Sequence, residues 1–288
     1  MSATEISSPR GLSRLRSLVD NGVFLFSALL VAVIVGLALF APWISRLDPA
    51  QMSVTDRLQA PSITHFFGTD QFGRDAFTRV IYGGRTSLKV ALTAVTTAVA
   101  IGGLIGIIMV LYGGWFEAIL LRVLDMLIAF PSLLLALFLV AVLGPELTNL
   151  IIAISLTRVP YFARLTRAEV ASIKARPFII AARTLGASQV FVVVHHILPN
   201  VIPLLIIFGT TDLALAVIAE SSLSYLGLGA QPPTASWGRM LTESRGVMDQ
   251  APWLAIFPGL FVMMLVIGFN LLGDSLRDIF DPRLRGRN

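Results

Sequence analysis

The stretch VFLFSALLVAVIVGLALFAPWI, residues 23–44, carries no charged side chain in 22 positions. As a helix it would extend about 33 Å at 1.5 Å per residue, enough to cross the roughly 30 Å hydrocarbon layer of a bilayer. Arg10, Arg14 and Arg16 precede it, and LALFAPW offers no clear Ala-x-Ala cleavage site. The stretch therefore reads as an uncleaved membrane span and not as a signal peptide. The rest of the chain agrees: 56% of its 288 residues are hydrophobic, 14% are charged, and the mean hydropathy is +0.81. A soluble chain of this length would form about two domains inside a charged shell, and here lipid-facing side chains replace that shell. Cysteine is absent, which excludes a disulfide framework and a thiolate metal site.

Outward from the first span, charge-free runs at 90–116, 126–145, a shorter one from Leu147, 201–228 and 250–273 predict five more spans. The fold class expected is an all-α polytopic membrane protein with six transmembrane helices. The run from Leu147 is the shortest, with 11 uncharged residues between Glu146 and Arg158. A span there needs Arg158 and Arg164 to extend toward the headgroups. Six spans put both termini on one side. The segments then assigned to the cytoplasm, 1–22, 158–200 and 273–288, hold 13 of the 22 Lys and Arg residues, while the outer basic residues lie among Asp48, Asp56, Asp70 and Asp75. Both termini are accordingly expected inside, and the net charge of +5 reflects that bias and not a nucleic-acid partner.

The expected divisions are a cytoplasmic N-terminus at 1–22, a first transmembrane helix at 23–44, an external segment at 45–88, a membrane core at 89–275 and a cytoplasmic tail at 276–288. In the external segment Asp75 and Arg79 stand four apart while Phe72, Phe77, Val80 and Ile81 supply an apolar side. That pattern predicts an amphipathic helix on the outer surface ahead of the second span.

Residues 166–200 interrupt the apolar runs on the basic side, and residues 181–200 of that loop read AARTLGASQVFVVVHHILPN. Thr166 to Ala175 has helix-forming composition and Pro177 breaks it; a second short helix starts near Phe178. Gly186 ends it or turns the chain, because only glycine enters left-handed backbone conformations without penalty. Leu198 and Pro199 open the next span, proline being tolerated in a first helical turn. On periodicity alone this is a solvated connector that presents a small knob to the cytoplasm.

The residues themselves say more. Ala181, Ala182, Gly186, Leu198 and Pro199 match in register the loop Glu-Ala-Ala, three residues, Gly, nine residues, Ile, one residue, Leu-Pro, which resembles the "EAA" loop of bacterial ABC importer permeases. Ile180 stands at the glutamate position and His196 at the isoleucine position; the first change removes a charge that could pair with an ATPase. HFFGTDQFGRDAFTRVIYGGRTSL (65–88), LYGGWFEAILLRVLDMLIAFPSLLLAL (111–137), AESSLSYLGLGAQPPTASWGRML (219–241) and LLGDSLRDIFDPRLRGR (271–287) also look like the C-type permease subunit of the dipeptide, oligopeptide and nickel importer family. The resemblance implies a type I ABC importer permease in the bacterial plasma membrane. Its implied partners are a B-type permease subunit, two ATPase subunits and an external substrate-binding protein, besides membrane lipid. ATP and magnesium would belong to the ATPases, with no cofactor bound and no catalytic residue carried by this chain. The segment 178–190 would be the coupling helix, with Phe178, Ala181, Ala182, Gly186, Ala187, Leu198 and Pro199 as its coupling residues. Peptides are the expected substrate, with nickel, glutathione or another small solute as the alternative.

Other constellations are weighed on their own residues. Arg122 and Asp125 are three apart, share a helix face and can neutralise one another. Asp212 falls about eleven residues into the span from Val201, where a lone charge costs roughly 2.5–3.5 kcal/mol, so it is expected to face the translocation pathway or a partner helix. Glu220 follows at i+8 on roughly the same face. The two carboxylates would be the ion carriers in the rival reading, an ion-coupled secondary transporter. Gly102 and Gly106 form a GxxxG expected to mark close helix packing. His195 and His196 point about 100° apart on a helix with no Cys, Asp or Glu near in sequence, so no metal site is expected. YGGRTS at 82–87 lacks the Gly-Lys-Ser/Thr of a phosphate-binding loop, and no nucleophile motif suggests a hydrolase.

Overall fold

The computed structural model describes residues 21–280, and these residues form helices joined by irregular segments without a β-strand. The expectations for residues 1–20 and 281–288 lie outside the described residues. In chain order the helices are α1 (Gly22–Leu39), a short α2 (Ala41–Ile44), α3 (Ala76–Tyr112), α4 (Gly114–Ile128), α5 (Ser132–Leu143), α6 (Leu147–Lys174), α7 (Pro177–Thr184), α8 (Gln189–Val192), α9 (Leu198–Tyr225), α10 (Trp237–Ser244) and α11 (Trp253–Phe280). A π-helical turn, Val193–Ile197, joins α8 to α9.

Four stretches are long and apolar enough to cross a membrane alone: Gly22–Leu39, Ala76–Tyr112, Gln189–Tyr225 and Trp253–Asp278. The expected third span is not one straight helix. It is split into α4 and α5, which meet at 87° and count as a fifth span only as a pair. The break falls at Phe130 and Pro131, since proline disfavours helix at the residue before it and cannot donate to the turn behind it. The expected fourth span, α6, has the length at 28 residues but carries Arg158, Arg164, Arg167, Glu169 and Lys174, and it stands outside that apolar class. The described helices thus give four or five spans by length and composition, against the six expected.

The bundle is built on α3 and α6, which run parallel. A Cβ on Gly102 would come within 2.7 Å of the Phe162 Cβ and of the Val159 carbonyl oxygen, and one on Gly106 within 2.5 Å of the Ala163 carbonyl oxygen. The GxxxG is therefore the contact itself: two bare backbones touch where any side chain would wedge them apart. At the far end of the pair Lys174 Nζ donates to the Val110 carbonyl at 2.7 Å, and Arg167 Nε reaches Glu117 at 2.5 Å. α9 packs antiparallel on α11, and α1 lies along α11, with Gly268 against Leu30 and Val31. The main core runs through Ala91, Ala94 and Ala98 of α3, Ile154 and Phe162 of α6, Val217 of α9 and Leu265 of α11.

Two expected short helices are absorbed into longer ones. Thr166–Lys174 is the last part of α6, with Ala175 as its cap, and not a separate segment, because nothing in its sequence interrupts the backbone ladder before that end. The stretch from Asp75 to Ile81 is not a separate surface helix but the first turns of α3. Asp75 does not pair with Arg79: it caps α3 by accepting from the Thr78 amide at 2.7 Å, and its other oxygen lies 2.9 Å from His65 Nδ1. Arg79, 1% exposed, turns inward to Glu243 of α10.

Candidate functional site

The loop that the sequence singles out folds into a compact knob at one end of the bundle. Pro177 opens α7 at a position where its missing N–H costs nothing. Past its end the Gly186 amide donates to Arg183 and the Ala187 amide to Ala182, both at 3.0 Å, with Gly186 at φ +87°. These are the two reverse bonds of a Schellman cap, which needs a left-handed residue at the Gly186 position. Ser188 then caps α8 by accepting from the Phe191 amide, and Leu198–Pro199 open α9 as expected.

One face of α7 is rooted and the other is bare. Ile179 is fully buried in a cluster with Ile107, Val110, Ile173, Ile197 and Val201. Ile180, 56% exposed, and Leu185, 88% exposed, project outward and border, with Pro177, Ala181 and Thr184, a groove of about 500 Å³. Phe178 is also exposed, whereas Ala182 and Ala187 are half-buried. His195 stacks on Phe191 at 4.3 Å between ring centroids, and His196 sets its ring against Phe178 and Phe191, both at 5.8 Å. Histidine at the usual isoleucine position therefore ties α9's entrance to α7 by aromatic packing.

The charged candidates separate into three environments. Asp125 pairs with Arg164 of α6, not with Arg122. The Arg122 expectation fails because α4 lies against α6, which offers a cation across the helix pair, and Arg164 is spent on that contact instead of reaching for headgroups. Glu220 is fully buried, accepts from Ser224 Oγ at 2.7 Å, and has Ser221, Ser87 and Ser236 around it. Asp212 faces elsewhere. Its Oδ1 lies 3.5 Å from Arg158 Nε, and it borders a cavity of about 230 Å³ with Tyr161, Thr211, Asp274 and Arg277. Eight residues on a helix rotate by 80°, enough to turn Glu220 into the serine-lined core and leave Asp212 beside the cavity. Arg158 likewise does not reach for headgroups: it points inward to Asp212.

A larger chamber of about 620 Å³ opens at the α4–α5 bend, lined by Phe130, Leu135, Thr157 and Arg164, and Tyr161 borders both spaces. At the opposite end of the bundle, Glu243 of α10 collects Arg74 and Arg79 at 2.8 Å each and Arg239 at 3.1 Å, while Asp70 holds Arg74 at 2.6 Å. Sequence reasoning missed this network, since its members lie about 165 residues apart. The local signals were Asp70 with Arg74 and Arg239 with Glu243, each at i, i+4, and neither spacing shows that the two pairs meet.

Comparison with known proteins places these features. Residues 98–286 match the family described as binding-protein-dependent transport system inner membrane component, and residues 13–61 match the N-terminal TM domain of oligopeptide transport permease C. The chain is 42% identical over 270 residues to the dipeptide transport system permease protein of Alkalihalophilus pseudofirmus, covering 94% of this chain and 89% of that one. It is 43% identical over 261 residues to the glutathione transport system permease protein of Escherichia coli O6:K15:H31, covering 90% and 86%. With its apolar spanning helices, this chain belongs to the inner membrane permeases of binding-protein-dependent ABC importers.

Proposed function

We propose that the chain is the C-type permease of an ATP-driven importer of di- or oligopeptides, forming half of a translocation pathway with a B-type permease. Two cytoplasmic ATPase subunits would hold the nucleotide and magnesium, and an external binding protein would deliver the substrate. The end carrying α7 would face the cytoplasm, with both termini on that side and α6 and the α4–α5 pair completing six crossings. Relatives named for dipeptide and glutathione transport support a small-peptide substrate.

The observation that carries the reading is α7: a two-turn helix rooted by Ile179, stopped by the Gly186 cap, and presenting Ile180 and Leu185 to solvent. A rigid element with an apolar outer face is what an ATPase needs to push on if closure of the ATPase pair is to rotate attached spans. Phe178, Ala181, Ala182, Gly186, Ala187, Leu198 and Pro199 build or seat it. The missing glutamate at Ile180 makes this contact apolar on the permease side. Leu185→Asp, at a fully accessible position, is expected to abolish ATP-dependent uptake and lower recovery of the ATPases on purification, while the chain inserts normally. Uptake and ATPase recovery both at wild-type levels in Leu185→Asp and Ala182→Asp would make the knob a mere connector.

A further inference from the structure

The buried charges of this protein fall into two kinds, and the difference between them is informative. The Glu243 network is saturated: its contacts to Arg74 and Arg79 are 2.8 Å, Asp70 adds 2.6 Å, and Arg79 also donates to the Pro49 carbonyl. Such distances are those of charge-assisted hydrogen bonds with the acceptors in full use. That is how a structural tie is built.

The Arg158–Asp212 pair is not built that way. Its one contact is 3.5 Å, Asp212 is 4% exposed, and Asp212 Oδ2 is buried with no hydrogen-bond partner among the described residues. A buried carboxylate oxygen left unpaired costs at least 1–3 kcal/mol, a cost that a purely structural pair would relieve by closing to about 2.8 Å. Asp212 itself borders the 230 Å³ cavity, whose charged lining is Arg158, Arg277, Asp212 and Asp274, two of each sign. Below the 300 Å³ of an ordinary ligand pocket, it suits a small occupant whose two charged groups lie close together.

We infer that the cavity between α6, α9 and α11 is a subsite for the charged termini of a passing peptide, Arg158 accepting its carboxylate and Asp212 its ammonium group. This rests on the peptide-importer reading above and deepens it: the substrate class is a peptide with both ends free. A zwitterion adds no net charge to a lining that is already neutral, and each end replaces the partner it displaces. A peptide blocked at one end leaves the half-buried Arg158 or the buried Asp212 unpaired, and a site built for a hydrogen-bonding group rejects the analogue lacking it. The permease thereby applies a second test of the substrate after the binding protein has applied its own.

The test uses the complete importer with its binding protein in proteoliposomes, scoring uptake of a free-ended dipeptide per assembled complex beside ATPase turnover. Arg158→Gln, Asp212→Asn and the double variant are each expected to cut uptake about ten-fold or more, the value of one charge-assisted hydrogen bond to substrate, with assembly and ATPase turnover kept within about two-fold. The double variant leaves no lone buried charge, so it separates binding from folding. Uptake by the double variant within two-fold of wild type overturns the subsite. So does a double variant that does not assemble, or restoration of wild-type uptake by the exchanged pair Arg158→Asp with Asp212→Arg where the singles fail to assemble; both assign the pair to folding. If the wild-type importer takes up no peptide, the peptide reading itself fails, and the subsite proposal falls with it.

Discussion

At the scale of single residues, the strongest constraint is a charge that cannot be left alone. Glu243 holds Arg74 and Arg79, which are 3% and 1% exposed, so its truncation leaves Asp70 as the one carboxylate facing two buried guanidinium groups. Breaking a buried pair by removing one partner costs about 3–5 kcal/mol. Glu243→Ala is therefore expected to lower folded yield and thermal stability in detergent sharply, whereas Glu243→Gln, which keeps an acceptor oxygen, is expected to cost less. Equal stability of both variants with wild type would mean that water or lipid headgroups reach the arginines. Gly186 is constrained differently. A Cβ there meets nothing within 4 Å, but φ is +87°, so Gly186→Ala pays only backbone strain of about 1–2 kcal/mol, and the damage should appear in coupling to the ATPases and not in insertion.

At the scale of elements, the close approach of α3 and α6 sets the geometry of everything attached to them. α6 carries Arg158 to the cavity, Arg164 and Arg167 to α4, and Lys174 to the end of α3. Widening this contact would move all four together. Gly102→Val puts atoms into a gap where even a Cβ would stand 2.7 Å from Phe162 and Val159, and overpacking of this kind typically costs about 1–3 kcal/mol. The expected result is a drop in thermal stability with loss of transport, while Gly36→Val, at a site of α1 where a Cβ meets nothing within 4 Å, leaves both unchanged. Comparable melting temperatures for the two variants would show that α3 and α6 can part without cost.

At the scale of the whole molecule, the orientation proposed for the bundle rests on the excess of Lys and Arg in the segments assigned to the cytoplasm. Native cysteine is absent, so single cysteines report cleanly. Ser236 is fully buried and unsuitable, but Ser62 in the 45–75 segment and Ser188 beside α7 are both exposed. In intact spheroplasts an impermeant thiol reagent is expected to label a cysteine at Ser62 and not one at Ser188, with Ser188 becoming reactive on permeabilisation. The reverse pattern would invert the proposed topology and rule out a cytoplasmic α7. The same bundle leaves Trp115, Phe130, Leu134, Phe138 and Val142 of the α4–α5 pair exposed, apolar surface of the kind that lipid or a second permease covers.

Hydropathy alone determined that this chain lives in a bilayer and where α1, α3, α9 and α11 lie, because an apolar run of span length has few other ways to be satisfied. Local chemistry determined the α7 turn as well: a left-handed position after a short helix calls for glycine, and Gly186 stands there. The GxxxG named the α3 face that packs. What the sequence could not determine was which charge meets which. Arg158 and Asp212 are 54 residues apart, and Arg79 and Glu243 164 apart; the i, i+3 and i, i+4 spacings that make pairs visible within one helix say nothing across helices. The pairings read from single helices, Arg122 with Asp125 and Asp75 with Arg79, gave way to partners on neighbouring elements. Glu220 and Asp212 likewise took different surroundings once α10 and α11 had packed on α9. Only the tertiary structure decided these, because ion pairing inside a membrane is settled by whichever opposite charge the packing of helices brings within reach.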